Sequence, residues 1–251
     1  MMGEPSTAPL ATFLLPGLEG TGRLFARFVA AADPALDLRV LSYPPDRHLG
    51  YAALEELVTR QLPADRPYAL LGESFAGPLV LRIASRAPPG LVGIVLATTF
   101  HRRPAARALS ALRPLGLVFF RAPMPAHAVR ILLAGADAPD DLVEEVRDAV
   151  ALVKGSVMAR RAREALRVDA TEHLRACPVP VLFLGGREDR LLRSALPIEV
   201  RALRPDAEIR MLDAPHLVLQ TRPRESMRLV ADFLARAANG KAGADARRRA
   251  G

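Results

Sequence analysis

The segment Gly72-Glu73-Ser74-Phe75-Ala76-Gly77 carries the most chemical information in this chain. An apolar run over residues 68–71 leads into it, and helical spacing follows at once from Pro78. A strand that turns abruptly into a helix holds its serine on a tight, strained bend with the hydroxyl exposed, the setting of a nucleophile elbow. Backbone passes close to such a bend, so the residues two before and two after the serine must be small, as Gly72 and Ala76 are. The helix N-terminus favours developing negative charge, and the Phe75 N–H is placed to hold an oxyanion. The string alone is weak, since a serine that only caps a helix would look the same. The agreement of strand, turn and helix around it is what favours a nucleophile.

The elements that must position this serine follow from the hydrophobic pattern. Short aliphatic runs at 11–15, 38–43, 68–71, 91–98, 179–184 and 208–212 end in Gly, Pro or small polar residues. They are mostly continuous rather than alternating, as expected of strands covered on both faces. Helical spacing lies between most of them, at 23–31, 52–61, 75–86, 195–203 and 225–237. This alternation predicts an α/β fold, a mainly parallel doubly wound sheet of about six strands whose ligands lie beyond the strands' carboxyl ends. Residues 101–174 break the alternation, with helical character at 105–113, 127–133, 140–153 and 158–166 and no convincing strand. They read as a helical lid inserted into a core made of 1–100 and 175–237. The polar stretch 238–251 lacks apolar anchors and is expected to be disordered.

With that context the chain resembles the α/β-hydrolase superfamily, in which serine, acid and histidine follow one another in that order. Ala76 stands where the family usually has a second glycine, a mild departure because alanine is also small. The family's acid follows a late strand in a G-x-x-D loop. Gly186-Arg187-Glu188-Asp189 puts Asp189 on that position, with Glu188 as its nearest rival. The histidine follows the last strand, which the resemblance assigns to His216, preceded by Pro215 where Gly is common. His48, His101, His127 and His173 fit worse and read as structural. The second oxyanion donor comes from the loop after the first strand, so Gly17 would let the backbone turn and present the Leu18 N–H. The loop Pro16-Gly17-Leu18-Glu19-Gly20-Thr21-Gly22 is similar to that of a lid-bearing branch that includes acyltransferase-like relatives of phytyl ester synthases. Its glycines have neither the G-x-G-x-x-G spacing nor a G-K-[ST] ending, so a dinucleotide or phosphate loop is not expected.

Composition narrows the rest. The net charge of +8 and a pI near 10.8 invite a nucleic-acid reading. The excess is arginine spread along the chain, much of it, as at Arg160, Arg161 and Arg163, on helix faces expected to be solvated, and Trp is absent. Nucleic-acid binding is therefore not expected. Cys177 is the single cysteine, which excludes an intrachain disulfide and reads as a small packing residue. No apolar run reaches the roughly 20 residues of a membrane span, and a cytoplasmic location is expected. Serine acyl chemistry needs no metal or cofactor.

The expected function is therefore hydrolysis of a small ester or thioester through an acyl-enzyme on Ser74. An acyltransferase on the same three residues and a non-catalytic binding protein are the alternatives. The serine disfavours the dehalogenases and epoxide hydrolases of this fold, which use an aspartate. Leu117, Val118, Phe119, Phe120, Met124, Val129 and Leu132 could line an acyl pocket or could simply pack the lid. Arg102, Arg103, Arg113 and Arg121 could attract an anionic group such as the phosphates of coenzyme A.

Overall fold

A computed structural model describes residues 8–103 and 124–250, with side chains as far as residue 244. The six strands are β1 (Leu10–Leu15), β2 (Leu36–Val40), β3 (Tyr68–Glu73), β4 (Leu91–Ala97), β5 (Val181–Gly186) and β6 (Glu208–Leu212). All pair in parallel, in the order β2-β1-β3-β4-β5-β6. The order reverses direction between β1 and β3, and a crevice opens at such a switch point beyond the carboxyl ends of the strands. The loops that leave β1 and β3 there carry Leu18 and Ser74.

The continuous apolar runs have a direct cause. Along β3, Tyr68 and Leu70 enter the core on one face, while Ala69 and Leu71 enter the core on the other. The first face is covered by α2 (Tyr51–Thr59), α3 (Gly77–Ala84) and α8 (Leu196–Leu203), through Leu54, Val58, Leu79 and Val200. The second is covered by α1 (Ala26–Ala30), α9 (Val218–Thr221) and α10 (Pro223–Ala250), through Phe28, Leu219, Val230 and Phe233. The outer strands β2 and β6 carry charges, Asp37 and Arg39 on one and Glu208 and Arg210 on the other. Charged side chains of this kind deter pairing with another chain at a sheet edge.

Between β4 and β5 the described insertion is helical. It comprises α4 (Ala126–Val129) with a π-turn at Arg130–Ala134, α5 (Asp140–Ala151), α6 (Gly155–Arg167) and α7 (Thr171–Arg175). The predicted segment 105–113 lies outside the described residues, as do Arg113, Leu117, Val118, Phe119, Phe120 and Arg121. Val129, Leu142, Val143 and Val146 form a small core of the insertion's own, which also takes in Leu24 and Leu217 from the main body. Val129 is thus committed to packing, and Met124 lies partly buried against the same cluster. The helices α7 and α9 have four or five residues each, too few for a 3.6-residue period to stand out in sequence.

One expectation is corrected at the C-terminus. Helix α10 runs to Ala250, through the segment read as disordered. No residue from 238 to 244 is buried, so the extension is not held by packing. Asn239, Gly240 and Gly243 are poor helix formers, but the alanines, arginines and lysine around them are good ones, and a helix already nucleated on the core gains one hydrogen bond per residue added.

Leu70 is fully buried in a central strand. Leu70→Ala should lower the unfolding free energy by about 3 kcal/mol. Urea denaturation followed by circular dichroism measures this, and a loss under about 1 kcal/mol would contradict the packing described.

Candidate active site

Ser74 leaves β3 with φ of 49°, a left-handed conformation that residues other than glycine rarely adopt. A 3-10 turn, Ser74–Ala76, carries the chain straight into α3. A side chain at Gly72 would lie 2.7 Å from Val80 and 3.0 Å from the Ala76 carbonyl, so the small residue is a requirement of the bend. The bend is held on both sides. Thr99 Oγ1 donates to the Ser74 carbonyl, and Tyr51 hydroxyl donates to the Phe75 carbonyl at 3.0 Å. The Tyr51 ring also stacks on Phe75, with centroids 4.8 Å apart.

His216 Nε2 lies 3.0 Å from Ser74 Oγ, and its Nδ1 lies 2.8 Å from Asp189 Oδ2. The imidazole is almost fully buried, whereas Ser74 is partly open to solvent. Asp189 Oδ1 accepts from the N–H groups of Leu191 at 2.8 Å and Leu192 at 3.0 Å. Burial alone would raise the Asp189 pKa. The nearby His216 and the hydrogen bonds from it and from Leu192 and Leu191 outweigh burial, and the carboxyl sits below its ordinary range. An ionised acceptor on Nδ1 leaves Nε2 facing the serine oxygen, ready to accept its proton.

The structure thus brings Ser74, Asp189 and His216 together. Glu188, the rival acid, is exposed, and its N–H is bonded to the Ala214 carbonyl. The other histidines lie apart. His173 Nδ1 is 2.9 Å from Ser85 Oγ, His101 is buried facing Glu199, and His48 lies 4.0 Å from Glu164. Cys177 is buried, as its apolar neighbours suggested.

Gly17 sits over the serine, since a side chain there would touch Ser74 Cβ at 3.6 Å. The next N–H, that of Leu18, donates to no acceptor among the described residues. The Phe75 N–H belongs to the first turn after Ser74, where no carbonyl of the helix can reach it. Both donors therefore flank the serine with their hydrogens uncommitted.

Three buried polar residues around this centre were not legible as site residues. Glu73, at the variable position before the serine, is 3% exposed. Its Oε1 accepts from Gln220 Nε2 at 2.9 Å, and the same amide donates to the Leu24 carbonyl at 3.1 Å. Arg161 is 1% exposed, which corrects the expectation that it lies on a solvated helix face. The signal was present: Val157, Arg161 and Ala165 recur every four residues along α6, so the arginine lies on the apolar stripe.

The deciding comparison is with protein families. Residues 9–229 match the model of the alpha/beta hydrolase family. The chain belongs to that family. A search of curated protein sequences finds no match. Among solved structures, MenH from S. aureus superposes with a TM-score of 0.76 at 14% identity, covering 94% of this chain and 97% of that one. The enol-lactonase from Burkholderia xenovorans LB400 gives 0.72 at 21%, covering 93% and 94%. The carboxylesterase CesB (YbfK) from Bacillus subtilis gives 0.71 at 16%, covering 92% and 85%. At such identities these likenesses speak for the alpha/beta hydrolase fold alone. Among the described residues no helix is long and apolar enough to cross a membrane.

Glu73 gives this alpha/beta hydrolase a measurable pH dependence. Burial pushes its carboxyl up to about 7, against the weaker pull of the Gln220 hydrogen bond and of His216, while Glu19 adds to the rise. An acid harder to ionise folded than unfolded makes the native state hold the extra proton. Its contribution to stability therefore falls as pH rises from about 4.5 to about 7 and is flat above. Glu73→Gln should stabilise the protein more at pH 8 than at pH 5, by about 2–3 kcal/mol. Urea midpoints of both proteins at the two pH values measure this. An equal effect at both would mean that Glu73 ionises normally in the fold.

Proposed function

We propose that the protein is a serine hydrolase that cleaves a small carboxylic ester or thioester through an acyl-enzyme on Ser74. The observation that carries this reading is the unbroken hydrogen-bonded chain from Ser74 Oγ through His216 to Asp189, with the serine strained outward on its bend. In the first step His216 Nε2 accepts the hydroxyl proton as Ser74 Oγ attacks the carbonyl carbon. Asp189 stabilises the imidazolium that forms without itself taking the proton. The N–H groups of Leu18 and Phe75 hold the oxyanion of the tetrahedral intermediate, an effect of about 3–4 kcal/mol per donor. His216 then gives its proton to the departing alcohol or thiol, and in the second half activates water to release the acid.

The insertion between β4 and β5 serves in this reading as a lid over the strand ends. A cavity of about 230 Å³ lies beside Asp189, its wall mixing Phe183, Leu192, Leu196 and Met211 with Arg187 and Arg193, and neither Ser74 nor His216 lines it. Arg102 is less suited to holding an anion, because it faces Glu199 at 3.4 Å.

A fluorophosphonate probe should label the wild type at Ser74, as located by mass spectrometry, and leave Ser74→Ala and His216→Ala dark. Asp189→Asn should lower kcat on p-nitrophenyl butyrate by about 10⁴-fold, because the wrong tautomer then faces the serine. A folded wild type that neither labels nor turns over ester would sink the hydrolase reading in favour of a binding role.

A further inference from the structure

Arg161 makes an unusual set of contacts for a buried cation. Its Nη1 donates to the carbonyls of Leu18 at 3.0 Å and Glu19 at 2.8 Å, and its Nη2 donates to the Pro44 carbonyl at 2.8 Å. The guanidinium carbon lies 5.6 Å from the centre of the Tyr43 ring. Arg161 forms no ion pair with a carboxylate among the described residues. Burying a charge without an ion partner is costly, and a methionine could fill the same space on the apolar stripe of α6. What the guanidinium adds is the orientation of successive peptide planes.

The consequence can be traced bond by bond. The Glu19 carbonyl and the Gly20 N–H belong to one rigid peptide plane. Arg161 grips that carbonyl, and the Gly20 N–H on the other side of the plane donates to the Gly17 carbonyl at 3.1 Å. The Gly17 carbonyl shares its own plane with the Leu18 N–H, the group read above as an oxyanion donor. The Leu18 carbonyl, one plane further on, is held by Arg161 as well. The fit leaves no slack. Gly20 has φ of 71°, and a side chain there would lie 2.9 Å from the Tyr43 ring and collide with the guanidinium. The same helix holds Leu18 by its side chain, which packs on Val157 and Met158 and on Val153 just before the helix.

We infer that Arg161 is a positioning residue for the oxyanion hole: helix α6 of the insertion, through this guanidinium, aims the Leu18 N–H at the reacting carbonyl. The inference rests on the reading of Ser74 as an acyl-transfer nucleophile. It makes the insertion part of the catalytic apparatus, so that the hole is complete only while α6 is docked. Arg161 itself touches neither the substrate nor the serine.

The test compares wild type, Arg161→Gln, Arg161→Lys and Arg160→Gln on p-nitrophenyl butyrate, with thermal melts to establish that each variant is folded. Arg161→Gln should lose about 30- to 100-fold in kcat with KM changed less than about threefold, because a displaced donor is missed mainly in the transition state. Arg161→Lys, which keeps the charge but cannot bridge the carbonyls, should recover only part of that loss. Arg160, exposed on the same helix, should be silent when changed to Gln. Phenylboronic acid, whose tetrahedral adduct on Ser74 places an oxygen in the hole, should bind the Arg161 variants more weakly by a factor similar to the kcat loss. If Arg161→Gln does not fold, Arg161→Lys carries the comparison. A folded Arg161→Lys with wild-type kcat and boronate affinity would overturn the inference alone. A rise in KM at constant kcat would also overturn it, by making Arg161 a substrate-binding group. Failure of the wild type to turn over ester or to bind the boronate would overturn it together with the hydrolase reading.

Discussion

The bend at Ser74 is the constraint from which the neighbouring structure follows. A non-glycine residue in the left-handed region costs on the order of 1–3 kcal/mol and persists only where its surroundings over-determine it. Here α3 is buried along nearly its whole length, and the hydroxyls of Thr99 and Tyr51 hold the Ser74 and Phe75 carbonyls within the turn. Those contacts impose small residues in turn. Gly72 yields to Val80 and the Ala76 carbonyl, and Gly77 yields to Thr99. The motif is therefore a packing solution in which each small side chain makes way for a named neighbour. A hydroxyl left partly open to solvent is its product.

The same bend crowds polar groups into a region that water does not reach. Glu73 and Glu19 are both buried, and both have their pKa values raised by that burial. Glu19 Oε2 accepts from the N–H and hydroxyl of Thr21, closing the loop after β1 on itself. Gln220 ties Glu73 to the Leu24 carbonyl, and so links the elbow to α9, the helix that begins two residues after His216. Gln220 thus connects the segments that carry Ser74 and His216 from behind, in addition to the hydrogen bond between those two side chains.

How much of this the sequence disclosed depended on whether a residue's role was local. The four inner strands were legible because burial on both faces leaves continuous apolar runs, and the charged edge strands β2 and β6 followed from their place in the strand–helix alternation. Ser74 was legible because its strand, turn and helix are contiguous. Asp189 and His216 needed the family's chain order to be picked out, since an aspartate in a glycine-rich turn and a lone histidine are common. Glu73 was invisible because the motif says only that its position varies. Burial there follows from the Gln220 contact, made across 147 positions of sequence. Arg161 was misassigned for a related reason. Its partners are backbone carbonyls 117 to 143 residues away, and carbonyls leave no mark on residue type. The extended C-terminal helix was missed because composition measures whether a segment can fold alone, not whether a helix already formed will run on.

The helices between β4 and β5 dock on the main body at the loops that carry the site. Leu24 and Leu217 belong to the insertion's small core, and the Leu217 N–H donates to the Leu133 carbonyl at 2.9 Å, directly after His216. Gly135 lies against Pro215, where a side chain would approach the ring to 3.4 Å. On the other flank α6 grips Leu18, and the Lys154 N–H just before it donates to the Pro45 carbonyl at 2.9 Å. The ion pairs from Arg27 to Asp141 and Glu145 join the two bodies at the surface, but exposed pairs contribute little. The insertion is tied to the loops after β1, β2 and β6, and through Ala165, Ala170 and Leu174 it also enters the main core. The segments that carry Leu18 and His216 are thus both packed against the same insertion.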